Sequence, residues 1–254
     1  MPLAGFAGRL YGKHAGAAPR ILLLHGFTGD ARDWGLWPEH APAALAIDLP
    51  GHGASPDPTG GFADEIGRLL AALPPSIERL VGYSLGGRIA LSLIAAAPAR
   101  LSGATILSAH PGLDNAQQRR ERRRDDQHWI GLLQTQGINA FVDAWERQPL
   151  FATQAGLPAA VLHAQRQRRL AQRAEGLARN LACFGLAEMP ATWTALKHWP
   201  GHLHWLAGAL DAKFVAIAKQ MNNMRPRTHV QIVPDAGHNL LLEAPKIVQR
   251  CHAH

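Results

Sequence analysis

Several short runs along the chain are almost wholly apolar, and each ends in a turn that carries glycine or proline. They are "RILLLHG" (20–26), "ALAIDLPGHG" (44–53), "RLVGYSLGG" (79–87), "GATILSAHPG" (103–112), "HLHWLAGALD" (202–211) and "HVQIVPDAGH" (229–238). Runs of this length and continuity predict strands buried on both faces. Helical patterns lie between them: "RIALSLIAAAPA" follows the third run and stops at Pro98, where proline cannot continue a helix. Strands alternating with helices predict an α/β architecture, a mostly parallel sheet flanked by helices. In such sheets the chemistry collects at the carboxyl ends of the strands, and each polar motif of this chain follows a predicted strand.

The alternation stops between about Pro111 and Pro200. "DNAQQRRERRRDDQHWIGLLQ" predicts one long amphipathic helix, and "LPAAVLHAQRQRRLAQRAEGLARNLACF" one or two more. Residues 1–110 and 199–254 are therefore expected to form the core, with 111–198 inserted as a helical lid. The longest apolar runs, such as "ILLL" at 21–24, are strand-sized, so no membrane insertion is expected. The start of the chain has no continuous apolar stretch of the kind a signal peptide needs.

Composition narrows the partners. The chain has 254 residues, 47% of them apolar and 18% charged, as in an ordinary globular protein. The net charge of +7 is carried mostly by arginine. Such a balance fits nucleic acid, a membrane surface or an anionic small molecule. The basic run "RRERRRDD" is interleaved with Glu121, Asp125 and Asp126 at helical spacing, which reads as a solvated face. No nucleic-acid motif accompanies it, so a small anion is the expected partner and nucleic acid is not. Two cysteines, Cys183 and Cys251, make no disulfide framework and point to the reducing cytoplasm. The histidines of "HLH" (202–204) and of the terminal "HAH" are read as core and tail residues rather than metal ligands. No metal or organic cofactor is expected, and oligomeric state is not legible.

The candidate chemistry begins at "GYSLGG". Ser84 stands between Gly82 and Gly86 where a strand ends and a helix opens. Such a turn needs small neighbours, lifts the hydroxyl above the sheet and sets it at a helix N-terminus. A serine hydroxyl needs a base. His238, in the loop after the last predicted strand, is the candidate, and Asp211 after the preceding strand is the acid that orients it. Asp235 is the rival acid, read as a turn residue. Two backbone N–H groups should meet developing negative charge, and the expected pair is Leu85 and Phe27 of "LHGFTGD". His25 and Gly26 shape that turn, and Asp48 and His52 of "DLPGHG" are expected to be structural.

These motifs resemble the α/β-hydrolase fold across most of the chain outside the lid. Serine as the nucleophile argues against the epoxide hydrolase and haloalkane dehalogenase branches, where aspartate takes that place. The segments "HPGLDNAQQRRERRRDDQHW" and "FVDAWERQPLFA", with Arg88 after the elbow, resemble more narrowly the 2-succinyl-6-hydroxy-2,4-cyclohexadiene-1-carboxylate synthases (the MenH family) of menaquinone biosynthesis. The similarity runs from about Ile21 to Ala152 and from about Leu206 to Pro245, and it is weak from about Gln154 to Trp205. The resemblance implies a lyase on a hydrolase scaffold, which abstracts a ring proton and expels pyruvate from a substrate with three carboxylates. It implies carboxylate binding by Arg88, Arg122 and Arg166, with Tyr83 and Trp145 lining the pocket. Arg168 and Arg169 are adjacent to Arg166. Two other readings remain open: a carboxylesterase or thioesterase acting on an anionic ester, and a ligand-binding protein with an idle triad.

Overall fold

The computed structural model describes residues 5–13 and 18–251, so the terminal "HAH" lies outside the described residues. Seven strands form one sheet in the order β1-β3-β2-β4-β5-β6-β7. They are β1 (Gly8–Tyr11), β2 (Ile21–Leu24), β3 (Ala44–Ile47), β4 (Arg79–Tyr83), β5 (Gly103–Leu107), β6 (His202–Gly208) and β7 (His229–Val233). The pairs from β3 to β7 are all parallel, and β1 runs antiparallel along β3. The apolar pattern does not anticipate β1, because "GRLY" lies at the edge with mostly exposed side chains and buries no continuous stripe.

The burial of β2 explains why this chain makes strands. Leu22 and Leu24 join a core cluster with Ile89 and Leu93, while Ile21 and Leu23 join another with Val81 and Leu206. Successive side chains point to opposite faces, so a strand covered on both sides must be apolar at every position. Each such side chain gains about 1.5–3 kcal/mol by leaving water. The register aligns the carboxyl ends: Leu24 sits opposite Gly82, Gly82 opposite Ile106, and Leu107 opposite Leu206. The turns after β2, β4, β5 and β6 therefore open side by side. Helices α1 (Phe62–Ala72) and α2 (Leu85–Ala96) contribute to the larger of these clusters.

Between β5 and β6 the chain leaves the sheet. Helix α3 (Ala116–Glu146) is capped by Asn115, whose Oδ1 accepts the N–H groups of Gln117 and Gln118 at 2.8 and 3.1 Å. It breaks at Gly137, where φ is 75°, a left-handed value that suits glycine. The limb after the break carries Phe141 and Trp145. A 3₁₀ segment (Pro149–Gly156), α4 (Ala159–Leu170) and α5 (Ala174–Phe184) follow. This excursion has its own core, made by Ile130, Leu133, Phe141, Val142, Leu177 and Leu181.

The excursion closes before residue 198. Thr192 donates both its N–H and its hydroxyl to the Pro111 carbonyl, at 2.7 and 2.9 Å. Helix α6 (Trp193–His198) then packs Leu196, with Trp199, into the main core. Helix α7 (Ala212–Met224) follows β6, and two short helices, α8 (Leu240–Glu243) and α9 (Pro245–Val248), follow β7. Much of the arginine is used inside the fold. Arg100 donates to the carbonyls of Leu70, Leu73 and Pro74, and Arg119 to those of Leu113, Ala187 and Met189. His204 stacks on His229 with ring centroids 4.5 Å apart. Among the described residues no helix is long and apolar enough to cross a membrane.

Candidate active site

The turn from β4 into α2 holds Ser84 at φ 50° and ψ −107°. A residue with a side chain seldom adopts this backbone, and it persists only where the surroundings enforce it. The enforcement comes from close approach of neighbouring segments. A Cβ on Gly86 would lie 2.1 Å from the Leu24 carbonyl oxygen, and one on Gly82 would lie 2.5 Å from the Gly86 oxygen. The glycines around Ser84 are thus required by contact with β2 and with the helix start.

His238 and Asp211 arrive from the ends of β7 and β6. His238 Nδ1 lies 2.8 Å from Asp211 Oδ2, and Nε2 lies 3.1 Å from Ser84 Oγ. With Nδ1–H donating to the carboxylate, Nε2 is left to accept the serine proton. Asp211 also caps α7, accepting the Phe214 N–H at 3.4 Å. Asp235 stands apart in an exposed turn at φ 54°. The loop bearing His238 is clamped by Glu243, which accepts the N–H groups of Gly237 at 2.7 Å and Asn239 at 3.0 Å. Glu243 was not singled out from the sequence. Its signal was a carboxylate five residues after the histidine, at the end of a helical turn.

Among the described residues, the backbone N–H groups of Phe27 and Leu85 make no hydrogen bond. Leu85 is the first residue of α2, where the N–H has no partner within the helix. The Phe27 turn is built by two buried histidines. His52 Nε2 accepts the Thr28 N–H at 3.2 Å, and His25 Nε2 accepts the Leu49 N–H at 3.0 Å. Burial, and next the proximity of His25, hold His52 well below the usual histidine range, so it stays a neutral acceptor. Asp48 accepts from Ala31 and Ala54. The last two contacts are those of scaffold residues.

Ser84 and His238 open onto two cavities that share Phe27, Trp145 and Leu150 as walls. One, of about 460 Å³, is lined by Tyr83, Phe151, Leu241 and Leu242, with Arg168 and Arg169 on its lid side. The other, of about 420 Å³, is lined by Leu85, Arg88, Ser108, His110, Arg122, Asp126 and Lys213. Trp145 stacks on Phe141 at 5.3 Å and meets the Phe27 ring edge-on at 5.2 Å. Burial raises the Tyr83 phenol above its ordinary range, so it remains protonated at neutral pH.

The second cavity is strongly cationic. Arg88 donates to the Phe184 carbonyl at 2.5 Å. Burial, and then Arg122, push its guanidinium down to about 9, which still leaves it charged at neutral pH. Arg122 pairs with Asp126 at 2.8 Å. Burial raises the Asp126 carboxyl, against the pull of Arg122. His110 reports the local field: burial, Lys213, Arg88 and Arg122 together push it down to about 4. It is therefore neutral, and its Nδ1 accepts the Gly112 N–H at 3.0 Å.

The structure brings most of the sequence-derived site residues together. Ser84, His238, Phe27, Leu85, Tyr83, Arg88, Arg122 and Trp145 all line these two cavities, and Asp211 stands behind His238. Arg166 does not join them. It faces the far side of α4, bridged to Asp143 and Glu146 at the latter's Oε2, 2.6 Å away. Arg168 and Arg169 point to the Ser84 side instead, Arg168 pairing with Asp33 at 3.2 Å and Arg169 with Glu146 at 3.0 Å. On a helix, residues two apart face different directions while residues three apart share a side, so spacing does not say which of these three arginines reaches the cavity. Lys213 and Ser108 were also missed as wall residues.

The comparisons agree with this geometry. The model of the alpha/beta hydrolase family matches residues 21–249. The 2-succinyl-6-hydroxy-2,4-cyclohexadiene-1-carboxylate synthase of Salmonella agona is 37% identical over 235 residues, which cover 90% of this chain and 90% of that protein. The structure of MenH from S. aureus superposes with a TM-score of 0.87 at 32% identity, covering 95% of this chain and 94% of that one. A thermophilic esterase from Thermogutta terrifontis shares the fold, with a TM-score of 0.77 at 24% identity over 96% of this chain and 90% of its own. With its serine elbow and its arginine-walled cavity under a helical lid, the chain belongs to the 2-succinyl-6-hydroxy-2,4-cyclohexadiene-1-carboxylate synthase family of alpha/beta hydrolases.

Proposed function

We propose that the protein eliminates pyruvate from 2-succinyl-5-enolpyruvyl-6-hydroxy-3-cyclohexene-1-carboxylate, giving 2-succinyl-6-hydroxy-2,4-cyclohexadiene-1-carboxylate, a step of menaquinone biosynthesis. The observation that carries this reading is the shared cavity of Ser84, Arg88 and Arg122. A guanidinium pairs bidentately with a carboxylate, and the substrate carries three. Arg169, which lines the other cavity, takes the part expected of Arg166.

In this mechanism His238 accepts the Ser84 proton, and the serine oxygen removes the ring proton next to the succinyl carbonyl. The C–H electron pair moves through the ring double bond and breaks the C–O bond to the enolpyruvyl group. Pyruvate leaves as its enolate and takes a proton back from His238. Charge that spreads onto the succinyl oxygen is met by the N–H groups of Phe27 and Leu85. Asp211 keeps the imidazole oriented and stabilises its protonated form. The chain's own groups supply every proton, so the reading invokes no metal or organic cofactor. Cys183 and Cys251 are free and buried, which accords with work in the reducing cytoplasm.

The test is pyruvate release from the authentic substrate. Ser84→Ala should lower kcat by about a thousandfold or more, the scale on which nucleophile-and-base pairs contribute. Activity that survives this change would remove Ser84 from the chemistry. The complete triad beside the largely apolar 460 Å³ cavity also favours a second reading, ester hydrolysis. Turnover of p-nitrophenyl esters far faster than pyruvate release would decide for that reading.

A further inference from the structure

We propose that Lys213 is a third substrate-binding cation of the Ser84 cavity, pairing with a substrate carboxylate alongside Arg88 and Arg122. The proposal rests on the elimination reading and deepens it. Lys213 lines the same 420 Å³ cavity as Ser84, Arg88 and Arg122. Its location is unfavourable for a lysine with no task. It is the second residue of α7, and the first turn of a helix repels cations because its N–H groups point outward with positive charge.

No acidic side chain relieves it. Among the described residues, Lys213 makes no ion pair, and nearby Asp211 is taken by His238. The ammonium lies over the Phe214 ring, 5.7 Å from its centroid. That ring packs against His238 with centroids 4.6 Å apart, so the lysine is one ring away from the proposed base. Arg122 is balanced by Asp126 and Arg88 is held by a carbonyl. The charged groups facing Lys213 are Arg122, Asp125 and Asp126 of α3, Arg88 of α2 and Asp211, with neutral His110 after β5. Asp126 is engaged by Arg122 and Asp211 by His238, so an incoming carboxylate can pair with the lysine. Lys213 lies against the cavity wall with part of its side chain still open to water, so its charge is not held in a fully dry site.

The pH dependence gives a signature that a merely structural lysine lacks. Burial against the wall, and then Arg122, lower the Lys213 pKa, with Asp211 opposing. Its charge, and its share of binding, are present at neutral pH and are lost as pH rises through that lowered value. Arg88, near 9, loses charge at alkaline pH as well, so the lysine's share is read as the difference between wild type and a Lys213 variant.

The experiment compares wild type with Lys213→Gln and Lys213→Arg in pyruvate release across alkaline pH. Lys213→Gln should raise KM about tenfold at neutral pH with kcat within twofold, and its KM should climb less than that of wild type on the alkaline side, the remaining rise being that of Arg88. Lys213→Arg should keep a low KM and flatten the alkaline rise. An unchanged KM in Lys213→Gln, with wild type active, overturns the lysine's role and leaves the elimination reading intact. If wild type releases no pyruvate, the elimination reading fails. The lysine's role is then decided by thermal protection with the tricarboxylate tricarballylate. Protection of wild type and loss of it in Lys213→Gln supports the site, whereas equal protection, or none, overturns it.

Discussion

The walls of the Ser84 cavities come from two regions that hold their residues by different means. On the sheet side, Ser84, Phe27, Asp211 and His238 sit at the ends of strands whose side chains are buried on both faces. Gly82 and Gly86 are pressed there against backbone that leaves no room for a Cβ. On the lid side, Arg122, Trp145, Arg168 and Arg169 are carried by helices that pack mainly on each other, around Leu133, Phe141 and Leu181. The sheet side has one backbone solution. The lid side is tied to the core by polar contacts such as Gln172 to Gly29 and Gly53, Arg173 to Asp57 and Asn180 to Pro50. Ser84 and His238 are thus held by the sheet, and the lid-side arginines of the cavities by a region with its own small core.

The largest effect that tests this contrast is on stability. Ile106→Ala, at the centre of the sheet, should cost about 2–5 kcal/mol of global unfolding free energy, as large-to-small core changes do, read from the urea midpoint. Leu133→Ala removes a side chain that is equally buried, but its cost should fall on the lid alone. Amides of α3 and α5 should then exchange faster with deuterated water while those of β4 and β5 keep their protection. If lid and strands lose protection together, the two regions are one cooperative unit and the contrast fails. A smaller effect sharpens recognition within the lid. Arg169→Ala should lower kcat/KM for pyruvate release tenfold or more. Smallest of all, Arg166→Ala, less than one turn before Arg169 but bridged to Asp143 and Glu146, should change kcat/KM by less than twofold. The reverse order for the two arginines would move the substrate to the other side of α4.

The same contrast separates what was legible in the sequence from what was not. The strands from β2 to β7 were legible because burial on both faces demands continuous apolar runs. β1 was not, since an edge strand with exposed side chains leaves no such mark. The elbow, the histidine and the acid were legible because each follows a strand end, and the rival Asp235 is set aside by geometry. Leu196 and Trp199 look like any lid hydrophobics until they are seen inside the main core. The arginines were hardest, because a guanidinium serves equally well as a carboxylate binder, a carbonyl cap or half of an ion pair. Arg122, Arg119 and Arg123 lie within five residues of one helix, yet Arg122 lines a cavity, Arg119 donates to the Ala187 and Met189 carbonyls, and Arg123 pairs with Glu188.

By itself the sequence determined the parallel sheet, the strained serine turn, the order serine–aspartate–histidine and the narrow family likeness of the first lid segment. These depend on local periodicity, on glycine where contact forbids a Cβ, and on position relative to strand ends. The tertiary structure alone decided that Phe27 and Leu85 keep free N–H groups beside Ser84, that Glu243 clamps the histidine loop, and that Arg169 and Lys213 rather than Arg166 stand on the cavity walls. Those outcomes depend on which face of a helix packs and on which charges are already paired, and neither is a property of neighbours in the chain.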